Sequence, residues 1–412
     1  MKVLHVITGL GIGGAEQQLR LLLRQLPVDS DVITLTNPGA VAEGIVADGG
    51  SVRNLAMTGN RDLGALPRLT RLVRQGRYDL VHTHLYRACL YGRFAARFAG
   101  VRSIVATEHS LGAVQIEGRP LTAGARGLYL AGERMGTATV AVSATVARRL
   151  ERWGVRPDRI HVVPNGIEAG RFAFDPAARR AARARLGLPQ DAFVAGAVGR
   201  LTSGKRFDRL VRAVAELPGA RLLLVGDGPE HARLLRLAEE RGAAGRVLLP
   251  GACQDPPPVS RTGVTGVTGA GADPDTAPDP DLPALLAAMD VSVSTSHDEA
   301  FGLASLEALA AGLPVLYVTC PALQDLPPSA APGARRISGS VPGLVDELRQ
   351  FQERHQERHR ERDQEPDQER ARLPVPPAVR HYDISHSAEQ LMAVYERAAR
   401  GRAASIREVS CP

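Results

Sequence analysis

Short aliphatic runs and amphipathic stretches alternate along most of this chain. From residue 2 to about 163 the runs are KVLHVIT, SDVITLT, SVRNLAM, YDLVHTH, RSIVATE, ATVAVS and IHVVP. Each is short, rich in β-branched or aliphatic residues and bounded by glycine, proline or polar positions, so each predicts a buried strand. The stretches between them carry a helical period, as in GAEQQLRLLLRQL and YRACLYGRFAARFAG. Alternation of this kind predicts an α/β fold built on a parallel, doubly wound sheet with helices on both faces. Ligands of such sheets lie beyond the carboxyl ends of the strands.

A second alternating set begins near Phe193, after a polar, arginine-rich stretch at 169–190. It runs FVAGAVG, a helix from Arg206, RLLLVGD, a helix from Glu230, RVLLPG, MDVSVSTS, a helix from Phe301 and LPVLYVT. Two Rossmann-like units in tandem fit these patterns, with a binding cleft expected between them. Two segments break the rhythm. Residues 254–281 are rich in proline, glycine and threonine with no apolar period, and predict a disordered surface insertion. Residues 350–370, QFQERHQERHRERDQEPDQER, form a charged near-repeat and predict a solvated helix or linker. A helical pattern returns at HSAEQLMAVYERAAR.

Composition agrees with a soluble globular protein of two domains: 412 residues, 44% hydrophobic and 23% charged. No apolar run reaches the ~18 residues that span a bilayer. The N-terminal VLHVI is short, periodic and followed by a glycine turn, so it reads as a strand and not a leader, and cytoplasmic folding is the expectation. Cys89, Cys253, Cys320 and Cys411 are scattered and indicate neither a zinc site nor a disulfide framework. The net charge of +7 and pI near 9.6 suit a phosphate-rich ligand or an anionic surface. Arginine supplies nearly all of the positive charge. Only Lys2 and Lys205 are lysines, which makes Lys205 conspicuous.

Gly9, Gly11 and Gly14 fall at the spacing G-x-G-x-x-G of a dinucleotide-binding turn. Such a turn also needs an acidic residue at the end of the second strand to hold ribose, and TLTNPG places Thr36 and Asn37 there instead. What survives is a strand, a tight turn and a helix N-terminus that attracts phosphate. Gly199 to Lys205 matches the spacing G-x-x-x-x-G-K, but Arg206 stands where a magnesium-holding Ser or Thr is required. An NTPase is therefore disfavoured, although Lys205 and its neighbouring arginines still suit a diphosphate.

The stretch HDEAFGLASLEALAAGLPV places Glu299 in a loop at a helix start and Glu307 about two turns into that helix. The amides at the helix start suit a phosphate and the carboxylates suit sugar hydroxyls. With GGAE at 13–16, TEHS at 107–110, VSATV at 142–146, VPNGIE at 163–168, VGRLTSGKRFDRLVRA at 198–213 and VGDGPE at 225–230, these residues make the chain resemble the family-4 glycosyltransferases. These are retaining, nucleotide-sugar-dependent enzymes of GT-B fold, also called glycosyl transferases group 1.

The resemblance implies an N-terminal acceptor-side domain over 1–167 and a nucleotide-sugar-binding domain over 168–380, interrupted at 254–281 and 350–372. A helix over 381–400 would pack back on the first domain, with a hinge at Asn165-Gly166. It implies that Gly13 and Gly14 approach the phosphate and the transferred sugar, and that His109 faces the sugar. Arg200 and Lys205 would neutralise the leaving diphosphate. Glu299 would hold sugar hydroxyls, Glu307 the ribose, and the turn at Phe301, Gly302 and Leu303 would offer amides to the phosphates. The donor is a nucleotide-diphosphate sugar, the acceptor a glycan or lipid-linked molecule in cell-surface polysaccharide or glycolipid synthesis. No metal cofactor and no nucleic-acid partner are expected. The loop CPALQDLPPSAAPG at 320–333 departs from the family's pattern on the donor side.

Other features read more plainly. His82 and His84 sit at alternate positions of a strand end with no third ligand apparent, so they are expected to line the cleft without metal. His355 and His359 are expected on a solvated face. The D-P-D repeats at 273–275 and 279–281 imitate a metal motif by coincidence of composition. The stretch RACLYGRFAARFAGVR either lays Arg87, Arg93, Arg97 and Arg102 on an anionic membrane or packs Leu90, Phe94 and Phe98 on the sheet. Two alternative functions stay open on sequence: a NAD-dependent oxidoreductase and a sugar-nucleotide-binding protein without catalysis.

Overall fold

Both predicted alternations fold into parallel sheets. A computed structural model describes residues 1–59, 62, 64–112, 115–116, 119–120, 122–253, 281–364 and 372–408. In the first half lie β1 (Lys2–Ile7), β2 (Asp29–Thr34), β3 (Ser51–Asn54), β4 (Leu80–His84) and β5 (Ser103–Glu108). The short antiparallel pair β6 (Gln115–Ile116) and β7 (Arg119–Pro120) follows, then β8 (Ala138–Ala141) and β9 (Ile160–Val162). Seven of these form one sheet in the order β3-β2-β1-β4-β5-β8-β9. The second half holds β10 (Val194–Val198), β11 (Arg221–Val225), β12 (Val247–Gly251), β13 (Val291–Ser294), β14 (Val315–Tyr317) and β15 (Ala334–Arg336). They form a sheet in the order β12-β11-β10-β13-β14-β15. Of these, β15 has no apolar run to announce it: its sequence is ARR.

The strand order reverses between β1 and β4 in the first sheet and between β10 and β13 in the second. A crevice opens at such switch points because the loops leaving the two strands turn to opposite faces. The loops after β1, β10 and β13 carry Gly13, Lys205 and Glu299 respectively. The fold is GT-B: two doubly wound parallel-sheet domains.

The C-terminal helix Ile384–Glu408 returns to the first sheet, where Leu391, Val394, Tyr395 and Ala398 bury against Val3, Leu80 and Val105. The crossing back is stitched to the inter-domain segment, since the Ile167 amide donates to Tyr382 O at 2.8 Å and the Ile384 amide to Ile167 O at 3.1 Å. Gly166 is required at that crossing, because a Cβ there would lie 2.5 Å from the Ile384 Cα.

Three expectations are corrected. The helix Val341–Gln364 covers most of the charged run, and its apolar stripe through Leu344, Leu348 and Phe351 continues to His355. His355 is therefore buried edge-on against Phe193, not solvated. On the helix Tyr86–Phe98 the inward face takes Cys89, Leu90, Arg93 and Ala96. Arg93 is 1% exposed, stacked over Tyr129, while Phe98 is 57% exposed. The helical period thus removes Arg93 from any membrane-facing stripe and Phe98 from the sheet contact. Asp281, last residue of the second D-P-D, caps the helix Leu282–Ala288 by accepting from the Ala284 amide at 3.0 Å. The rest of the expected insertion, residues 254–280, lies outside the described residues, as do residues 365–371 of the charged run. Among the described residues no helix is long and apolar enough to cross a membrane.

Candidate active site

The N-terminal wall of the cleft is the turn after β1. Leu10 is buried, and its amide donates to Asn37 O at 3.0 Å, so the residue standing where an acid was sought closes the turn. The helix Gly14–Gln25 starts from Gly13 in extended backbone with no side-chain cap. A Cβ on Gly13 would strike the Glu16 carboxylate and sit 3.1 Å from the Arg200 guanidinium; a Cβ on Gly14 would sit 3.2 Å from Leu303. Gly13 clears the Glu16 side chain of its own helix, and both glycines bring the backbone close to side chains of the opposite domain. Gly9, Gly11 and Gly14 have ordinary negative φ, unlike the glycines that turn a chain left-handed.

The opposite wall comes from β10 and β13. After β10 the chain passes Gly199 at φ +148 and Arg200, makes a turn at Ser203–Lys205 and enters the helix Phe207–Ala215 through Arg206 at φ +55. The loop is held from two sides. The Leu201 amide donates to Asp227 O at 2.9 Å, and the Thr295 hydroxyl donates to Lys205 O at 2.7 Å. Lys205 Nζ then donates to Glu299 Oε1, closing an ion pair between the loops of adjacent strands.

Beyond Glu299, Phe301 is buried with its ring edge-on to Tyr382 at 5.1 Å. Gly302 takes φ +111 and opens the helix Leu303–Ala310, again with no side-chain cap. Cys320, from the atypical loop at 320–333, packs directly beneath Gly302 and leaves no room for a side chain. Glu307 is the fifth residue of this helix, just over one turn in rather than two, because the helix starts at Leu303.

Two helix N-termini, at Gly14 and Leu303, therefore approach each other across the cleft with their amide ends uncapped. Such ends carry partial positive charge and favour an anion. Arg200 adds a cation to this side, its Nη2 lying 4.0 Å from Glu16 Oε1 of the other domain.

The domains also grip each other through a residue that sequence reasoning missed. Arg149, in the helix Ala144–Trp153, donates from Nη1 to Leu111 O at 2.7 Å and to Glu299 O at 3.4 Å. From Nη2 it donates to Asp298 Oδ1 at 2.8 Å. Beside it the Ser143 hydroxyl donates to Ala300 O at 2.7 Å, and the Ala144 amide to Asp325 Oδ2 at 3.0 Å. The loop holding Glu299 is thus fixed from the N-terminal domain. VSATV contained Ser143, but nothing in the one-dimensional pattern marked Arg149 among so many arginines.

His109 lies one residue past the end of β5, half-buried, with Nε2 3.2 Å from His84 Nδ1. Burial of its ring pushes its pKa down to about 4. His82 and His84 are wholly buried, so they do not line the cleft as expected. A third histidine, His5 of β1, joins them and corrects the absence of a third ligand: one nitrogen of each lies within 4.8 Å of the others. His82 has both nitrogens occupied, Nδ1 with the Tyr395 hydroxyl at 2.6 Å and Nε2 with the Thr107 hydroxyl at 2.7 Å.

The structure thus assembles Lys205 with Glu299, Arg200 with Gly13, and Gly14 with Leu303. It sets Glu307 farther along its helix and leaves His109 beside other histidines.

The chain is similar to known proteins. The family profile "Glycosyltransferase Family 4" matches residues 12–171, and "Glycosyl transferases group 1" matches 178–260 and 275–364. The D-inositol 3-phosphate glycosyltransferase of Mycobacterium tuberculosis is 34% identical over 256 residues, covering 58% of this chain and 47% of that protein. The chain therefore spans about half the length of the curated relatives it matches. HepE of Anabaena, in complex with UDP and glucose, superposes with a TM-score of 0.75 at 20% identity, covering 96% of this chain and 100% of that one. Sucrose-phosphate synthase from Thermosynechococcus elongatus gives 0.63 at 19% identity, covering 99% of each. At these identities the likeness to the solved structures is one of fold. The two profiles match opposite halves of the chain, each on the sheet whose loops build one wall of the cleft, and the chain belongs to the family-4, group 1 glycosyltransferases.

Proposed function

We propose that this protein transfers a sugar, with retention of anomeric configuration, from a nucleotide-diphosphate sugar to a glycan or lipid-linked acceptor in cell-surface polysaccharide or glycolipid synthesis. The observation that carries the reading is the pair of uncapped helix N-termini at Gly14 and Leu303, facing each other across a cleft that holds Arg200, Lys205 and Glu299. The helix ends and the two cations suit the charge of a diphosphate, and the Glu299 carboxylate suits a sugar hydroxyl. Relatives lend support: HepE was crystallised with UDP and glucose and with UDP-glucose.

Breaking the sugar–phosphate bond builds positive character on the anomeric carbon and negative charge on the leaving phosphate. Lys205, as a compact point charge, and Arg200, as a planar fork, stabilise that phosphate. Glu299 holds a hydroxyl of the transferred sugar and Glu307 the ribose, while the amides at Phe301 to Leu303 meet the phosphates. The acceptor hydroxyl attacks the face from which the phosphate departs, and the phosphate takes its proton. No separate protein base is then required, and the two cations do the charge neutralisation without a metal ion. Transfer is accordingly expected to persist in EDTA.

A thermal-shift screen against UDP-, GDP- and ADP-sugars tests the reading, because a ligand that prefers the folded state raises its stability by about 2.7 kcal/mol at a hundredfold excess over Kd. Stabilisation by one donor class, followed by release of its nucleoside diphosphate on adding acceptor, is the expected result. Stabilisation without turnover would favour a sugar-nucleotide-binding protein. Stabilisation by NAD alone would overturn the proposal.

A further inference from the structure

Register places a row of histidines on one face of the first sheet. His5 of β1 pairs with His82 of β4, and His84 pairs with Thr107 of β5. Paired residues of parallel strands share a face, as do alternate residues of one strand. His5, His82, His84 and Thr107 therefore lie together, on the face that Tyr395 of the C-terminal helix covers.

Three of the rings are linked in series. His5 Nδ1 lies 3.1 Å from His84 Nε2, and His84 Nδ1 lies 3.2 Å from His109 Nε2. The two ends of the chain, His5 Nε2 and His109 Nδ1, are buried and have no hydrogen-bond partner among the described residues. His82 is not a link, since Tyr395 and Thr107 occupy both of its nitrogens.

A neutral imidazole has one N–H and one bare nitrogen. Burial keeps all three rings neutral, so two links among them leave two arrangements. In one, every N–H points inward, and the last falls on His5 Nε2, in the interior with the ring 0% exposed. In the other, His5 donates to His84 and His84 donates to His109. The unmatched N–H then falls on His109 Nδ1, past the carboxyl end of β5, and the interior keeps only a bare acceptor. An orphaned buried N–H is rarer and more costly than an under-used acceptor. Both end nitrogens are covered, but His109 as a residue is only half-buried and stands past the carboxyl end of β5, whereas His5 is 0% exposed, so the outward arrangement is the one that an oxygen of a bound ligand can complete.

We propose that His5 and His84 are positioning residues that lock His109 as the Nδ1–H tautomer, so that it donates a hydrogen bond to an oxygen of the bound sugar. His109 is then a fixed donor and not a base. The hydrogen-bond chain alone restricts His109 to two coupled arrangements; the choice of the outward one, like the accepting oxygen, rests on the sugar-transfer reading above.

Nitrogen-15 NMR of the histidine-labelled full chain reads the tautomer directly, with the His109 signals assigned by their loss in His109→Asn. The expected spectrum has a protonated Nδ1 and a bare Nε2 at His109. A protonated Nε2 overturns the proposal without touching the sugar-transfer reading. His84→Leu removes the inner donor and is expected to release His109 to mixed tautomers and to lower kcat on the order of 10²-fold, the usual cost of losing one preorganised donor. His84→Asn keeps an N–H near the Nδ1 position and is expected to recover most of that loss. Equal kcat in His84→Leu and His84→Asn would count against the relay. Should His84→Leu fail to fold, the wild-type spectrum still decides. An Nδ1–H tautomer in a protein that turns over no sugar nucleotide would leave the relay standing and remove the sugar-transfer reading.

Discussion

The ammonium of Lys205 is ion-paired with the carboxylate of Glu299, across 94 positions of sequence. The two loops meet because β10 and β13 are neighbours at the point where the strand order reverses. In the proposed transfer the pair holds the lysine where phosphate charge would develop. Its side chains are 30% and 15% exposed, so the pair is partly buried, and its Coulomb gain is offset by the cost of taking both charges out of water. Lys205→Ala is expected to lower kcat by about 10²–10³ with the melting temperature nearly unchanged. Glu299→Ala is expected to abolish detectable transfer as well, by freeing the sugar hydroxyl. Steady-state kinetics beside thermal melts would check both, and near-wild-type activity in both would remove the site assignment.

Arg149 ties domain closure to the placement of Glu299. Its guanidinium is 9% exposed and bonds Leu111 of its own domain together with Asp298 and Glu299 of the other. Lysine cannot reproduce a fork that bonds in two directions. Arg149→Lys is therefore expected to raise the donor KM and lower kcat by about tenfold each, the scale of one lost charge-assisted hydrogen bond. Small-angle scattering would show a more open particle. Unchanged kinetics with unchanged scattering would make Arg149 a bystander.

Much of this was legible in the chain beforehand, for a physical reason. Strands such as KVLHVIT and RLLLV are buried on both faces, so their apolar runs betray them in one dimension. The motif loops carry glycines and charges that packing alone would not select. The edge strand Ala334–Arg336 was invisible because an edge needs no apolar run. Arg149, Glu16 and His5 were missed because their importance comes from residues 150, 184 and 79 positions away respectively, and no local period encodes such distances. Arg93 and His355 misled because charge in sequence suggested solvent, whereas each finds partners inside: Thr139 and the Tyr129 ring for Arg93, Phe193 and Asp290 for His355.

Gly302 is fixed by two independent constraints. Its φ of +111 disfavours any side chain, and Cys320 fills the space where a Cβ would go. Gly302→Ala is expected to destabilise the protein by about 1–3 kcal/mol from backbone strain alone, with the clash added to that. Adding Cys320→Ala opens the space but leaves φ unchanged, so the double variant should regain only part of the loss. Urea unfolding of the single and double variants separates the two contributions. A double variant as stable as Cys320→Ala alone would show that strain at Gly302 is negligible.

The buried histidines set the acid limit of stability. Desolvation lowers His5 to about 3 and His109 to about 4, holds His82 and His84 well below their ordinary value, and also lowers His355, His161 and His297. In the unfolded chain they all titrate near the usual ~6.5. Above that pH both states keep the rings neutral and stability does not depend on them. Between about 6.5 and 4 the unfolded chain binds protons that the folded chain refuses, so stability must fall as pH drops. Carboxylates held below their ordinary range by ion pairs act in the same direction, but only nearer a pH of about 4, which leaves pH 5 to 6.5 as a window governed by histidine. The urea midpoint is expected to be flat from pH 8 to 7 and to decline steadily from 6.5 to 5. His5→Leu, which removes one of the refused protons, should make that decline shallower. A midpoint independent of pH across the window would mean that the rings are protonated in the folded protein.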